Sequence, residues 1–119
     1  MARPHVVISA ADPSLRESIL FLMASENIMA VAYPDVETAL ASPHARISVC
    51  AIVDDETAIR QEEVIKRIQL FGKPVVLLAS VLTKVPHIPQ IVPLSKPFLG
   101  KLLLEAVGAI IEAASKSST

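Results

Sequence analysis

The chain has few of the residues on which several protein classes depend. It contains one cysteine, Cys50, which cannot form an internal disulfide, and no group of Cys and His residues has zinc-ligand spacing. No apolar run approaches the about 20 residues that a membrane-spanning helix needs. Aromatic residues make up only 3% of the chain and tryptophan is absent, so the core must consist of Val, Ile, Leu and Ala. We therefore expect a protein of the reducing cytoplasm with no part in a membrane.

The chain also lacks an excess of either charge. Its 11 Lys and Arg oppose 12 Asp and Glu, for a formal net charge of −1, so affinity for nucleic acid is not expected. The 119 residues suffice for one domain, and a hydrophobic content of 52% excludes extensive disorder. We expect this domain to span residues 1–115 and the polar residues 116–119 to form a flexible tail.

Short apolar runs alternate with stretches of helical periodicity. Strands are predicted at residues 6–8, 28–33, 47–53 and 75–79, and helices at 13–27, 34–42, 64–71 and 100–114. The pattern breaks between Ser80 and Pro93, where three prolines oppose a normal helix and leave room for only a short fifth strand at residues 91–92. Strands that are apolar on both faces and alternate with helices indicate a doubly wound, five-stranded parallel α/β sheet.

In this fold, chemistry is concentrated where the strands reach their carboxyl ends. The motifs there are Asp12-Pro13-Ser14-Leu15-Arg16-Glu17-Ser18 after the first strand, Asp54 after the third, and Lys96-Pro97-Phe98 ahead of the last helix. In order and spacing they resemble the receiver domains of bacterial two-component response regulators. The first motif is most similar to receivers of the nitrogen-fixation-regulator type in alphaproteobacteria. The resemblance covers nearly the whole chain and implies a CheY-like, flavodoxin-like fold.

The resemblance assigns roles to two charged residues. In such receivers an aspartate at the end of the third strand accepts a phosphoryl group from a kinase histidine, and that position is Asp54 here. The family lysine that contacts the phosphoryl group matches Lys96, and Pro97 matches the residue that usually follows a cis peptide bond. Taken without the resemblance, Asp54 is also compatible with a helix-cap or loop acid, and Lys96 with a solvated surface lysine.

Other positions depart from the family pattern. The two acids that hold magnesium align with Ala10 and Ala11, while Asp12 stands where it is expected to cap the first helix. Asp54 and Asp12 with water are a poor ligand set for a hard cation, so magnesium binding is predicted to be weak. The switch positions of the family align with Ala79, next to the out-of-phase Ser80, and with Pro93. The helix between the fourth and fifth strands is expected to be truncated or replaced by a proline-rich loop.

Three functions are compatible with this pattern. The first is a degenerate receiver that signals through protein contacts, with weak or no magnesium-dependent phosphorylation at Asp54. The second is a conventional receiver, phosphorylated at Asp54 by a histidine kinase or phosphotransfer protein. The third and more distant is a small flavodoxin-like cofactor-binding protein, which an absorbance spectrum would reveal, although no phosphate-binding loop follows the first strand. We favour the first function, in which the protein is not an enzyme beyond self-phosphorylation.

The last predicted helix has more apolar surface than packing on a sheet requires. Its polar residues fall in one narrow stripe made of Lys101, Glu105, Gly108 and Glu112. The surplus apolar residues centre on Leu102, Ala106, Ala109 and Ala113. We expect these residues either to be covered by the segment after the fourth strand or to form a homodimer interface, and we favour the homodimer.

Overall fold

The computed structural model describes residues 3–54, 65–67, 69–79, 88–96 and 100–117. Its elements are β1 (His5–Ser9), α1 (Pro13–Ser25), β2 (Met29–Tyr33), α2 (Val36–Ala41), α3 (Pro43–Ile47), β3 (Cys50–Asp54), β4 (Val75–Ala79), β5 (Ile91–Ser95) and α4 (Gly100–Ser117). The five strands form one sheet in the order β2-β1-β3-β4-β5, and every pair is parallel. The predicted doubly wound fold is confirmed.

Two apolar layers cover the two faces of the sheet. On one face, Ile8, Ile52 and Leu78 pack with Ile19 of α1 and Leu103 of α4. On the other face, the strand residues Val7, Val53 and Leu77 point the opposite way. They pack with Val36 and Ala39 of α2 and with Phe71, which precedes β4. Because β3 and β4 are buried on both sides, their apolar runs are continuous rather than alternating.

Side-chain caps determine where the helices begin. Asp12 accepts a hydrogen bond from the Ser14 amide and Pro13 occupies the first helical position, as predicted for α1. Asp35 accepts a hydrogen bond from the Thr38 amide at the start of α2, and this bond lowers the pKa of its carboxyl group. Gly72 adopts a left-handed φ of 65° in the turn that follows the helical residues 65–67 and 69, a conformation that glycine adopts without steric cost.

Three predicted boundaries are wrong by three residues. β3 begins at Cys50 rather than Ile47, because Ser42 caps a second short helix, α3, that continues to Ile47. β5 has five residues and includes Pro93, which is tolerated because β5 is an edge strand that pairs only with β4. α4 continues to Ser117, beyond its predicted end at residue 114. The predicted loss of a helix after β4 concerns residues 80–87, which lie outside the described residues.

Of the helices in the described part of the chain, none combines the length and the apolar character that a bilayer span requires.

Cys50 provides a check on the packing of the central strand. The side chain is fully buried in β3, and burial raises the pKa of its thiol to about 12. Since the thiolate is the reactive form, we expect the folded protein to resist thiol reagents at neutral pH and to react fully in denaturant. The reaction with a disulfide reagent can be measured by absorbance. Rapid, stoichiometric labelling of Cys50 in the native protein would contradict this packing.

Candidate functional site

An acid and a lysine meet at the carboxyl edge of the sheet. Asp54 is the last residue of β3 and is 1% exposed, while Lys96 directly follows β5. The Lys96 ammonium donates to Oδ1 of Asp54 at 2.6 Å. The backbone amide of Lys96 also donates to the Ala79 carbonyl at 3.0 Å, which ties the lysine to the end of β4. The structure therefore brings together the two charged residues selected from the sequence.

An alanine follows the strand that neighbours β3. Ser9, the last residue of β1, pairs with Val53 of β3, and the residues that follow this pair are Ala10 and Asp54. Ala10 is fully buried, and its methyl group belongs to the apolar cluster that contains Ile52. Ala11 is exposed. Neither position supplies a carboxylate next to Asp54.

An arginine lies over these two alanines. Arg16 extends back from α1, and its Nη1 donates to the carbonyl oxygens of Ala10 at 2.7 Å and Ala11 at 3.0 Å. A fixed positive charge thus lies where the first strand ends, close to the position from which family receivers bind a metal. Two cationic side chains therefore lie at this edge of the sheet, Arg16 and the Lys96 that is paired with Asp54.

Within the described residues, this edge of the sheet offers few ligands for a magnesium ion. A hard cation requires several oxygen ligands, and Mg²⁺ requires near-octahedral geometry. Asp54 is engaged by Lys96, and Asp12 caps α1 through its side chain. Within the described residues, no group of three or more His, Cys, Asp or Glu is arranged to hold a metal. Asp55 and Glu56, which follow Asp54, lie outside that part of the chain.

The positions that match the family switch carry no group suited to it. Ala79 ends β4 level with Ser95 and is 2% exposed, so a methyl group stands where the family has a hydroxyl. Pro93 pairs with Leu77 inside β5, and its ring has no rotamer that swings between exposed and buried positions. Ser80 and Pro97 lie outside the described residues, so neither a bulge at Ser80 nor a cis bond before Pro97 is described.

The outer surface of α4 is largely as expected. The stripe of Lys101, Glu105, Gly108 and Glu112 is exposed. Among the four apolar positions selected for an interface, Leu102 is 46% exposed, and Ala109 and Ala113 are also exposed. Ala106 is half-buried and packs against the core, so it contributes less to the free surface than the sequence suggested.

Sequence reasoning missed three polar contacts. The first is the contact of Arg16 with the carbonyls of Ala10 and Ala11. A cation near the amino end of a helix opposes the helix dipole, which indicates that a hydrogen-bond acceptor lies nearby. Lys73 donates to the carbonyls of Ala45, Arg46 and Ser48 around the end of α3. The Tyr33 hydroxyl lies 2.7 Å from Nδ1 of His44. The last two connect residues distant along the chain, and no local pattern announces them.

Comparison with known proteins supports the resemblance. No family model matches the chain. The transcriptional regulator protein FixT of Rhizobium meliloti (strain 1021) is 29% identical over 110 residues, which cover 92% of this chain and 94% of FixT. The receiver domain of a Francisella response regulator superposes with a TM-score of 0.78 at 18% identity, over 94% of this chain and 99% of that one. A response regulator receiver protein of Sinorhizobium medicae gives a TM-score of 0.73 at 14% identity, over 93% and 96%.

These likenesses confirm the predicted resemblance to receiver domains and the predicted fold. The chain has the architecture of a response regulator receiver, and its Asp54 and Lys96 meet at the carboxyl edge of the sheet.

Proposed function

We propose that the protein is an atypical receiver of two-component signalling that acts through protein contacts, with weak or no magnesium-dependent phosphorylation at Asp54. The observation that carries this proposal is the composition of the strand edge. Asp54 is paired with Lys96, while Ala10 and Ala11 stand where the family has acids. A phosphoryl group arriving at Asp54 would add negative charge at a site that offers few ligands for a compensating divalent cation.

The same geometry keeps one feature of a conventional receiver. Asp54 lies at the carboxyl end of β3 with a lysine at 2.6 Å, which is the arrangement that would hold a phosphorylated aspartate. Phosphorylation by a histidine kinase or a phosphotransfer protein is therefore the second candidate function. In either case the partner is a protein of this signalling class.

Intact-mass spectrometry after incubation with acetyl phosphate and magnesium tests the proposal. We expect the wild type to gain no more phosphate than the Asp54→Asn variant, because the missing acids leave no effective metal site. A mass increase of one phosphate in the wild type that is lost in Asp54→Asn would support the conventional receiver instead. A receiver with both acids, treated in parallel, shows that the phosphodonor is active.

The name of FixT suggests an effect on transcription, which we infer reaches the DNA indirectly. The formal net charge of this chain is −1, which gives no general attraction to a polyanion. We therefore propose that it acts on a kinase or another regulator. We place this action in the cytoplasm. Nucleic acid is not among the partners that we propose.

We further propose that the protein forms a homodimer through α4. Its exposed apolar residues include Leu102, Ala109 and Ala113, and the two alanines line a groove of about 600 Å³ between α4 and β5. The described residues that line this groove are all apolar and include Val92, Ala109 and Ile110. Homodimer interfaces are more apolar than ordinary surfaces, and the small alanines permit close approach of two helices related by a two-fold axis.

The double variant Ala109→Glu with Ala113→Glu tests this dimer. Both side chains are exposed, so the substitutions add charge to the interface while leaving the core intact. By sedimentation at micromolar concentration we expect a wild-type dimer and a monomeric double variant. Ala24→Glu, on the exposed part of α1, is the matched control and should remain dimeric. A wild type that stays monomeric at hundreds of micromolar would exclude the dimer.

A further inference from the structure

A second groove lies on the opposite face of the sheet from α4. It has a volume of about 660 Å³ and separates α3 from the residues that precede β4. One wall ends in Ile47, which is 58% exposed, and the other in Leu70, which is 72% exposed. Phe71 and Leu40 contribute apolar surface between them. We call this feature the α3 groove.

In each wall of the α3 groove, a cation is close in sequence to the exposed aliphatic residue. Arg46 precedes Ile47 on α3 and lines the groove, while Lys66 lies four residues before Leu70 in the segment that precedes β4. Both are exposed, and neither forms a salt bridge with any residue that the structure describes. Among the described residues that line the groove, none is Asp or Glu. The two walls therefore share one arrangement, in which an exposed aliphatic side chain is close in sequence to an exposed positive charge.

The two neighbouring cations are already engaged. Arg67 forms a salt bridge with Glu37 of α2. The Lys73 ammonium donates to the Ser48 carbonyl at 2.6 Å and to the carbonyls of Ala45 and Arg46, and burial lowers the pKa of this lysine. Of the four cations named here, Arg46 and Lys66 are therefore the ones whose side chains are available to a partner.

Lys73 also makes the groove a preformed surface. Its ammonium binds carbonyls at the end of the five-residue helix α3, which is too short to be stable alone. The carbonyl of Lys73 accepts a hydrogen bond from Nε2 of Gln90 at 2.7 Å, next to β5. The wall that carries Arg46 and Ile47 is thus fixed to the sheet before any partner arrives, which reduces the entropy cost of binding.

We propose that the α3 groove binds an acidic amphipathic segment of a partner protein. Apolar side chains of that segment pack on Ile47 and Leu70, and its carboxylates pair with Arg46 and Lys66. The charge pattern favours this occupant because a neutral apolar segment would leave both cations without partners. Two cations flanking apolar side chains are also too few for strong binding to nucleic acid, which relies on many phosphate contacts. This surface goes beyond the proposed function, since it lies on the other face of the sheet from the α4 dimer.

The test uses synthetic helical peptides with leucine on one face. One peptide has glutamate on its polar face, a second has lysine there, and a third is a scrambled form of the acidic peptide. We expect the acidic helix alone to bind in fluorescence anisotropy and to shift the amide signals of Ile47 and Leu70. The double variant Arg46→Glu with Lys66→Glu should weaken its binding by about tenfold or more, because two rim attractions become repulsions. The matched control, Lys101→Glu with Lys116→Glu on α4, changes the net charge equally and should bind like the wild type.

Three results would overturn this proposal. One is the absence of binding by the acidic helix, and another is equal weakening in the two charge-reversed variants. The third is binding of vesicles that contain an anionic phospholipid, with the same dependence on Arg46 and Lys66, while the acidic helix does not bind. The last result would assign the groove to a membrane surface. Circular dichroism of both variants verifies that they are folded.

Discussion

Replacing Lys96 by methionine is expected to lower the free energy of unfolding by about 3 kcal/mol, the order found when one partner of a buried ion pair is removed. Asp54 is 1% exposed, so its carboxylate would remain buried without the ammonium that now lies 2.6 Å away. Adding Asp54→Asn to this variant removes the buried charge and should restore most of the lost stability. Urea unfolding followed by circular dichroism measures all three proteins.

An exposed ion pair in the same chain provides the control. Nζ of Lys116 lies 3.5 Å from Oε1 of Glu112 on the surface of α4. The Lys116→Met variant should therefore change the free energy of unfolding by about 0.5 kcal/mol or less. If Lys96→Met costs no more than Lys116→Met, the Asp54–Lys96 pair does not organise the strand edge. A double variant less stable than Lys96→Met would also contradict the account.

Introducing aspartate at both Ala10 and Ala11 is expected to increase the affinity for magnesium by about tenfold or more, which corresponds to about 1.4 kcal/mol of binding free energy. Ala10 and Asp54 directly follow the paired residues Ser9 and Val53, so we expect an aspartate at position 10 to add a carboxylate beside Asp54. Without metal the adjacent negative charges should destabilise the fold, and magnesium should reverse this effect. Thermal unfolding with and without magnesium measures the difference, and intact mass after acetyl phosphate treatment measures any gain in phosphorylation at Asp54.

The Ala10→Asn, Ala11→Asn variant separates charge from size. It places side chains of nearly the same shape at both positions but adds no negative charge, so magnesium should stabilise it little. Equal stabilisation of the aspartate and asparagine variants would show that the alanines are not what limits metal binding. No effect of magnesium on either would lead to the same conclusion.

The sheet was predictable because its strands are buried on both faces. Cys50–Val53 and Val75–Ala79 are almost entirely apolar, and parallel strands with right-handed crossovers leave few ways to arrange them. The start of β3 was predicted three residues too early because Ile47 is apolar and was assigned to the strand. It lies instead at the end of α3 and is largely exposed, which apolar character alone does not reveal.

The site was predictable to the extent that it depends on strand ends. Asp54 and Lys96 are 42 residues apart in the chain, and the parallel register brings them to the same edge. The hydrogen bonds of Arg16 to the carbonyls of Ala10 and Ala11 were not foreseen. Its position near the amino end of α1 indicates that an acceptor is nearby, but backbone oxygens are available at every position, so the sequence does not identify which ones accept. The same reason applies to Lys73, whose three acceptors are all carbonyls.

A calorimetric titration of the wild-type protein with magnesium tests the central claim most directly. The claim is that the strand edge balances its charge with Lys96 and Arg16 and offers few ligands to a divalent cation. We expect no saturable binding in the sub-millimolar range, while the Ala10→Asp, Ala11→Asp variant binds measurably under the same conditions. Saturable sub-millimolar binding by the wild type, lost in Asp54→Asn, would show a functional metal site and contradict the account.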